Sequence, residues 1–225
     1  MKTFKTIIFF ALVVTLLVYG CGEEAPAPVE VKAEPEKNFE GTIVAVGDSL
    51  TEGLGVEEES AYPAVLEKKL GNMGYPYRVI NAGNSGETSS GTLARIKWVL
   101  TLKPDIVILV IGANDGFRGI DPELIKTNIQ SIVKELKHQQ VVVVLGAMQI
   151  VQNLGKDYTT TFANIYPEIA NLENIILTPF FLEGVAADRR LNQTDGIHPT
   201  AEGYQVIVDN ITASVVEAIE AHREK

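Results

Sequence analysis

The sequence contains little cysteine and little positive charge, and each shortage excludes a class of protein. Cys21 is the single cysteine among 225 residues, so neither a disulfide within the chain nor a metal centre of cysteine ligands is possible. There are 19 lysine and arginine residues against 29 aspartate and glutamate residues, and the formal net charge is -10. This balance argues against binding to nucleic acid. The three histidines lie far apart in the sequence, and we expect neither a metal site nor an organic cofactor.

The amino terminus has the pattern of an export signal, a basic start followed by an apolar run over residues 7–18. This run is short for a membrane span. Residues 17–21, Leu-Val-Tyr-Gly-Cys, resemble a bacterial lipobox, in which cleavage before the cysteine leaves that residue lipid-modified. We therefore expect residues 1–20 to be a lipoprotein signal peptide and Cys21 to carry the lipid. The alternative is a free thiol beside a signal-anchor helix.

Residues 21–40 form a second segment of different composition, rich in Glu, Ala, Pro and Lys. Such a segment cannot bury enough apolar surface to fold, and it suits a disordered tether between an anchored cysteine and a folded domain. We expect an exported lipoprotein that faces the periplasm and is held at a membrane by its lipid. Gly22 stands where some bacterial lipoproteins carry the Asp that retains them at the inner membrane, which favours the outer membrane. Residues 41–225 are predicted to form one folded domain, long enough for a full core.

Within the domain, apolar runs alternate with amphipathic segments. The runs have the continuous apolar character of parallel strands covered on both faces, and the segments repeat apolar residues at helical spacing. The predicted strands are residues 43–46, 77–80, 106–111, 141–145 and 175–177, and the predicted helices are residues 62–73, 93–102, 122–138, 160–172 and 199–222. This alternation predicts an α/β fold, a three-layer α/β/α sandwich around a mostly parallel, five-stranded sheet of flavodoxin-like order.

Polar residues stand where the predicted strands end, and these ends meet at the edge of the sheet where open α/β sheets bind ligands. The first strand ends in Gly-Asp-Ser-Leu, residues 47–50. Ser49 at a helix start is a candidate nucleophile, because the helix amides favour negative charge beside it. It is also a candidate N-cap, since serine and aspartate satisfy the free amides of a first turn. Taken alone, this stretch favours the cap.

Two further junctions carry residues that suit an oxyanion hole. Gly86 lies in a loop of glycine, asparagine and serine after the second strand, where its N–H can approach a ligand closely. Asn114 follows the aliphatic third strand, and its side-chain amide can donate to an oxyanion. Taken one at a time, both features are better explained as turns of the chain.

The junction before the last helix is the most specific one, with the sequence Asp-Gly-Ile-His-Pro over residues 195–199. His198 precedes a proline, so its backbone is extended, and Pro199 suits a first helical position. A turn would bring the carboxylate of Asp195 to Nδ1 of His198 and leave Nε2 free, which is how a carboxylate orients a general base. The alternative is that Asp195 caps a turn and that His198 lies on the surface.

Together, and in this order, the four blocks resemble those of the SGNH or GDSL hydrolase superfamily. The resemblance covers residues 42–221 and is strongest to the bacterial periplasmic branch of thioesterases, arylesterases and lysophospholipases. Ala113 departs from this branch, which commonly has glycine there, whereas the neighbouring Asn114 is retained.

The resemblance implies a role for each residue of the four blocks. Ser49 would be the nucleophile, His198 the general base and then the acid, and Asp195 the orienting carboxylate. The backbone N–H groups of Ser49 and Gly86 and the side chain of Asn114 would form the oxyanion hole. Such a set is what the chemistry needs, because a serine is a poor nucleophile without a base and the oxyanion requires donors already in place.

The resemblance also implies a groove for an acyl chain, bordered by the loops after the third and fourth strands. The candidates for its lining are Asp115, Phe117, Met148, Ile150 and Phe181, of which the apolar ones are equally suited to packing the loops. We expect a monomeric serine hydrolase that cleaves small acyl esters or thioesters. Lysophospholipids and aryl esters are the first substrates expected, with thioesterase activity beside them.

Three other functions are alternatives to the acyl hydrolase. A carbohydrate O-acetylesterase on the same fold would use the same triad with a small polar pocket. A non-catalytic binding domain would have a broken triad, and none of the three residues is missing here. A flavodoxin-like nucleotide-binding or phospho-signalling domain would share the architecture, yet the sequence contains neither a Gly-x-Gly-x-x-Gly nor a Walker motif.

Overall fold

A parallel sheet of five strands runs through the middle of the domain. The computed structural model describes residues 38–225. Its strands are β1 (Gly41–Gly47), β2 (Tyr77–Gly83), β3 (Ile106–Val110), β4 (Val142–Ala147) and β5 (Ile176–Phe180). Their spatial order is β2-β1-β3-β4-β5, and every pairing is parallel. The predicted flavodoxin-like sheet is therefore confirmed, with β2 and β5 running further toward their carboxyl ends than the sequence pattern indicated.

The strands are apolar because helices cover both faces of the sheet. All five residues of β3 are buried, and so are the central residues of β1. The central position of β1 also decides where the functional residues meet. Its last residue, Gly47, pairs with Gly83 of β2 on one side and with Val110 of β3 on the other. The loops that follow these three strands consequently leave the sheet side by side.

Seven α-helices occur within residues 38–225. They are α1 (Ser49–Glu52), α2 (Tyr62–Asn72), α3 (Ser89–Thr101), α4 (Ala113–Phe117), α5 (Pro122–His138), α6 (Lys156–Glu173) and α7 (Ala201–Arg223). Helices α3, α5 and α6 pack against one another in one layer, and α2 packs against α7 in the other. This is the three-layer arrangement that the alternation of strands and helices predicted.

Helix α5 shows why the helical predictions hold and where they fail. Its observed bounds equal the predicted ones, because the Asp121 carboxylate caps the first turn by accepting from the Glu123 N–H at 3.0 Å. Leu124 fits the apolar spacing but is 49% exposed, so it lies outside the buried stripe. Helix α6 begins before the predicted residue 160 and continues through Pro167.

No helix within residues 38–225 is long and apolar enough to cross a membrane. The predicted signal peptide, the lipid on Cys21 and most of the predicted tether precede residue 38 and lie outside the described residues.

Candidate active site

The turn after β1 presents Ser49 at the carboxyl edge of the sheet. Asp48 is the N-cap of α1, and its carboxylate accepts from the Leu50 N–H at 3.0 Å. Ser49 is the first residue of the helix and not its cap, which corrects the capping interpretation of the serine. The turn is tight because Gly47 has no side chain; a Cβ there would lie 2.3 Å from the carbonyl oxygen of Val110.

The imidazole of His198 joins Ser49 to Asp195. Nε2 lies 2.9 Å from Ser49 Oγ, and Nδ1 lies 2.7 Å from Asp195 Oδ2. The other carboxylate oxygen, Oδ1, accepts from the backbone N–H groups of Ile197 and His198 at 2.8 and 3.0 Å. The turn thus fixes the carboxylate, the carboxylate orients the ring, and Nε2 is left to accept the serine proton.

The backbone after His198 differs from the predicted helix start. Pro199 forms a short antiparallel bridge with Asn192, and the Gln193 N–H donates to the carbonyl oxygen of His198 at 2.8 Å. Helix α7 begins only after Thr200, whose hydroxyl caps its first turn. The prediction that Pro199 occupies the first helical position is therefore wrong, because the chain pairs with the preceding loop before it enters the helix.

The two aspartates at the site experience opposite electrostatic environments. Hydrogen bonds from His198 and from the turn backbone lower the pKa of Asp195 to about 2. Burial raises the pKa of Asp48 to about 6, although hydrogen bonds from Leu50 and Asn114 oppose the shift. Asp195 therefore stays ionised across the neutral range and suits stabilisation of an imidazolium. Asp48 is a buried acceptor whose ionised form is costly.

Three N–H donors near the serine are available to a ligand. The backbone N–H groups of Ser49 and Gly86 have no acceptor among residues 38–225. Asn114 donates one amide hydrogen to Asp48, with Nδ2 at 3.1 Å from Oδ2, and this contact orients the side chain while its second hydrogen stays free. These are the donors that the sequence assigned to an oxyanion hole. The bond to Asp48 was not predicted.

Asn114 reaches the site on a short helix that the sequence pattern did not indicate. Helix α4 follows Gly112, whose φ of 114° is rarely adopted by residues with side chains. A Cβ on Gly112 would lie 2.4 Å from the hydroxyl oxygen of Tyr166, and that hydroxyl donates to the carbonyl oxygen of Ile111 at 2.9 Å. The glycine therefore lets the chain turn sharply at the end of β3 and brings Asn114 beside Asp48.

A buried ion pair fixes the loop that carries Gly86. Arg95 Nη2 lies 2.6 Å from the carboxylate of Glu87, which is 7% exposed. The Asn84 N–H donates to the carbonyl oxygen of Gly47 at 3.0 Å and ties the same loop to the end of β1. Sequence reasoning missed this pair, although opposite charges eight residues apart at a loop-to-helix junction are a usable signal.

A cavity of about 170 Å³ opens beside Ser49, and most of its walls are apolar. Two of the predicted groove residues, Phe117 and Met148, line it. The full lining consists of Asp48, Ser49, Leu50, Ala113, Asn114, Phe117, Met148, Gln149, Leu182, Ile197 and His198.

Three predicted groove residues lie elsewhere, and this corrects their assignment. Asp115 is buried because its carboxylate accepts from the N–H and the hydroxyl of Ser89 at 2.8 and 2.6 Å. Phe181 is fully buried, with its ring edge-on to Tyr62 at a centroid distance of 5.3 Å. Ile150 packs against the core and does not line the cavity. A carboxylate with partners and a ring in the core stabilise the fold and cannot form a groove wall.

Among four depressions within residues 38–225, only the cavity beside Ser49 brings a serine and a histidine together. A larger depression of about 410 Å³ lies at the amino-terminal edge of the sheet, lined by Lys137, Glu217 and Lys225 among others, without a serine or histidine. Within residues 38–225, no cluster of three or more histidine, cysteine, aspartate or glutamate side chains could hold a metal ion.

Comparison with known proteins agrees with this geometry. Residues 45–206 match the model of the GDSL-like Lipase/Acylhydrolase family. The chain is 37% identical to esterase TesA of Pseudomonas aeruginosa over 171 residues, which cover 76% of this chain and 85% of that protein. It is 33% identical to thioesterase 1/protease 1/lysophospholipase L1 of Escherichia coli K12 over 169 residues, which cover 75% of this chain and 80% of that protein.

A solved structure shares the fold as well. The psychrotrophic esterase EstA from Pseudoalteromonas sp., inhibited by monoethylphosphonate, superposes with a TM-score of 0.76 at 30% identity and covers 80% of this chain and 99% of its own. The family match runs from β1 into the first turns of α7 and so includes every block that carries the site. This chain is accordingly a member of the GDSL-like lipase/acylhydrolase family, the SGNH hydrolases, and an esterase of that family.

Proposed function

We propose that this enzyme hydrolyses acyl esters through an acyl-enzyme formed on Ser49. His198 Nε2 takes the hydroxyl proton as Oγ bonds to the carbonyl carbon, and it then gives that proton to the oxygen of the leaving alcohol. Asp195 holds the ring and stabilises the imidazolium formed between these steps. Water then attacks the acyl-enzyme with the same proton transfers and releases the free acid. The 2.9 Å contact between Ser49 Oγ and His198 Nε2 carries this proposal.

The negative charge of the tetrahedral intermediate would be bound by the N–H groups of Ser49 and Gly86 and by the amide of Asn114. Each donor of this kind contributes on the order of 3 kcal/mol to transition-state stabilisation, because it is already in place when the charge develops. Asp48 supports the donor set by holding the amide of Asn114 in one orientation. This role explains why a carboxylate is kept in a place where burial makes its ionised form costly.

The cavity indicates which acyl chains fit. Its volume of about 170 Å³ is smaller than the roughly 300–1,000 Å³ of sites that enclose a drug-sized ligand. Short acyl chains would lie within it, and longer ones would extend over Phe117 and Ile197, apolar side chains that are 49% and 45% exposed. We propose lysophospholipase and arylesterase activity, with thioesterase activity beside them. The name of the Escherichia coli relative, which includes both thioesterase and lysophospholipase, supports two of these activities.

We further propose that the enzyme is a monomeric lipoprotein, anchored through Cys21 and facing the periplasm. The support for the lipid anchor is the apolar run followed by Gly-Cys and the composition of residues 21–40. A tether of about 20 residues spans at most about 70 Å when fully extended. The active site would therefore remain close to the membrane surface, where lysophospholipids are found.

A hydrolysis profile of the enzyme tests the proposal. Aryl esters of increasing acyl length, lysophospholipids and acyl-thioesters are assayed with the wild-type protein and with Ser49→Ala. We expect hydrolysis of short and medium acyl chains in the wild type and none above background in the variant. Full activity of Ser49→Ala would refute the acyl-enzyme. Because the cavity is small, an O-acetylesterase is the second candidate, and activity confined to acetyl esters would establish it instead.

A further inference from the structure

Arg118 lies beside the proposed oxyanion hole. Its Nη2 donates to the carbonyl oxygen of Gly86 at 3.0 Å. The φ of Gly86 is 76°, and Arg118 Nη2, at 4.0 Å, is the one atom that a Cβ built on this glycine would approach. The guanidinium therefore contacts the same residue whose N–H is assigned to the oxyanion hole. It binds the carbonyl group of Gly86, and the N–H group lies at the other end of that residue's backbone.

The charge of Arg118 has no acidic partner within residues 38–225. Arg95, Arg190 and Arg223 each contact a carboxylate at 2.6 to 2.8 Å. Arg118 is exposed and contacts only the carbonyl oxygen of Gly86, which uses one of the five N–H donors of a guanidinium. In a chain of formal net charge -10, an exposed and unpaired arginine at a substrate site attracts an anion.

The position of Arg118 also indicates which part of a substrate it would meet. An ester has two arms that diverge from the carbonyl carbon, and the acyl arm is assigned to the cavity lined by Phe117 and Met148. Neither Gly86 nor Arg118 lines that cavity, although both adjoin the oxyanion donors. Because the guanidinium borders the oxyanion donors from outside the acyl cavity, we assign it to the side of the leaving group. In a lysophospholipid the leaving group is a glycerol that carries a phosphodiester.

We propose that Arg118 binds the phosphate of the leaving group, so that the enzyme prefers lysophospholipids over neutral esters of the same acyl chain. A guanidinium matches two phosphate oxygens with parallel N–H donors, which a lysine ammonium cannot do. This inference rests on the proposed function, because it requires that the acyl group be transferred to Ser49. The inference explains a preference for lysophospholipids by a contact that lies outside the acyl cavity, between Arg118 and the phosphate.

The test compares two soluble, short-chain substrates with the same acyl group, a lysophosphatidylglycerol and a 1-monoacylglycerol. The ratio of their kcat/KM values is measured for the full-length wild type, Arg118→Gln, Arg118→Lys and the control Arg78→Gln, which alters an exposed arginine on β2. We expect Arg118→Gln to lower the ratio about tenfold, mainly through KM, as loss of a charge-assisted contact does. The ratio for Arg118→Lys should fall between those of the wild type and Arg118→Gln, and the ratio for Arg78→Gln should equal that of the wild type.

The ratio separates phosphate binding from the structural contact with Gly86. If Arg118 only supported the Gly86 loop, its loss would slow both substrates alike and leave the ratio unchanged, which would overturn the inference while the proposed function stands. Raising the salt concentration should lower the ratio in the wild type but not in Arg118→Gln, because exposed charges are screened. A wild type that hydrolyses aryl esters but neither of these two substrates would refute the inference alone, whereas a wild type that hydrolyses no acyl ester would refute the proposed function as well.

Discussion

Two hydrogen-bond chains occur in this domain, each made of a carboxylate, an imidazole and a hydroxyl. One lies at the carboxyl edge of the sheet and the other at its amino edge. The chain at the carboxyl edge ends on the hydroxyl of Ser49 through contacts of 2.7 and 2.9 Å. The chain at the amino edge ends on the hydroxyl of Tyr77. There His222 Nε2 lies 3.3 Å from Asp105 Oδ1, and His222 Nδ1 lies 2.8 Å from the Tyr77 hydroxyl oxygen.

The surroundings of the two hydroxyls differ more than their hydrogen bonds do. Ser49 begins a helix, borders a cavity and lies beside backbone N–H groups that have no acceptor within residues 38–225. Tyr77 is 1% exposed, its ring stands edge-on to His222, and burial raises its pKa. Asp105 also accepts from the Thr42 N–H at 2.7 Å, so the amino-edge chain fastens α7 to β1. We therefore propose that access and oxyanion donors, in addition to the hydrogen bonds, make Ser49 the nucleophile and leave Tyr77 a structural residue.

Removal of the imidazole at the carboxyl edge should produce the largest effect. We expect His198→Ala to lower kcat for a short-chain aryl ester by about 10⁴-fold or more, because the serine then lacks its base while the oxyanion donors remain. Steady-state kinetics measure the loss, and thermal unfolding shows whether the fold is retained. A loss of less than about tenfold in a folded variant would remove the basis for distinguishing the two chains.

The oxyanion donors are the second difference between the two edges, and Asn114→Ala tests them. We expect kcat to fall by about 10²–10³-fold, the cost of one such donor. The matched control is Asn128→Ala, which removes a buried asparagine that donates to Ser89 and Ser90. That variant should lose stability rather than turnover. Equal kinetic losses in both variants would show that Asn114 acts through the fold.

The pH dependence of stability distinguishes the buried aspartate from the exposed one. The pKa of Asp48 is raised to about 6, so the folded state holds its proton more tightly than the unfolded state does. Its contribution is fully present below the ordinary aspartate pKa and is lost as the pH rises through about 6. Relative to Asp48→Asn, the wild type should therefore lose about 2–3 kcal/mol of unfolding free energy between strongly acidic and neutral pH.

Asp195 should give the opposite sign. Its pKa is lowered to about 2, so the stability that it contributes is present above the ordinary aspartate pKa and is lost as the pH falls toward 2. Denaturant titrations of the wild type, Asp48→Asn and Asp195→Asn over this range measure both slopes. A difference between wild type and Asp48→Asn that does not change with pH would contradict the environment assigned to Asp48.

The smallest effect is expected at the amino edge. His222→Gln should leave kcat essentially unchanged and lower the unfolding free energy by about 1–2 kcal/mol, since one or two hydrogen bonds to Tyr77 and Asp105 are weakened. The corresponding decrease in Tm is about 2–8 °C for a domain of this size. A loss of turnover at unchanged stability would mean that the amino-edge chain takes part in function.

The architecture could be predicted because it depends on local patterns. The five apolar runs and the amphipathic segments between them indicate a doubly covered parallel sheet, and the sheet in turn places all strand ends at one edge. Helix α5 was predicted within its observed bounds because a capping aspartate and a last basic turn mark its ends. Helix α4 escaped prediction because its sharp start depends on how Gly112 packs against Tyr166.

The site was predictable at its chain junctions and not in its supporting contacts. Ser49, Asp195 and His198 stand at strand and helix ends, where a single sequence signals them. Contacts such as the Asp48–Asn114 bond join residues 66 positions apart, and their partners are chosen by strand order and packing. The same reason explains Asp115, whose position after a strand suggested a groove whereas its hydrogen bonds to Ser89 bury it.

Covalent trapping tests most directly which of the two hydroxyls is the nucleophile. The wild type is treated with a p-nitrophenyl alkylphosphonate, which phosphonylates an activated serine, and the digested protein is examined by mass spectrometry. We predict one adduct, on Ser49, with none on Tyr77 and none on either residue in His198→Ala. An adduct on another residue, or an unmodified Ser49 in a protein whose esterase activity has been abolished by the reagent, would contradict the assignment of Ser49.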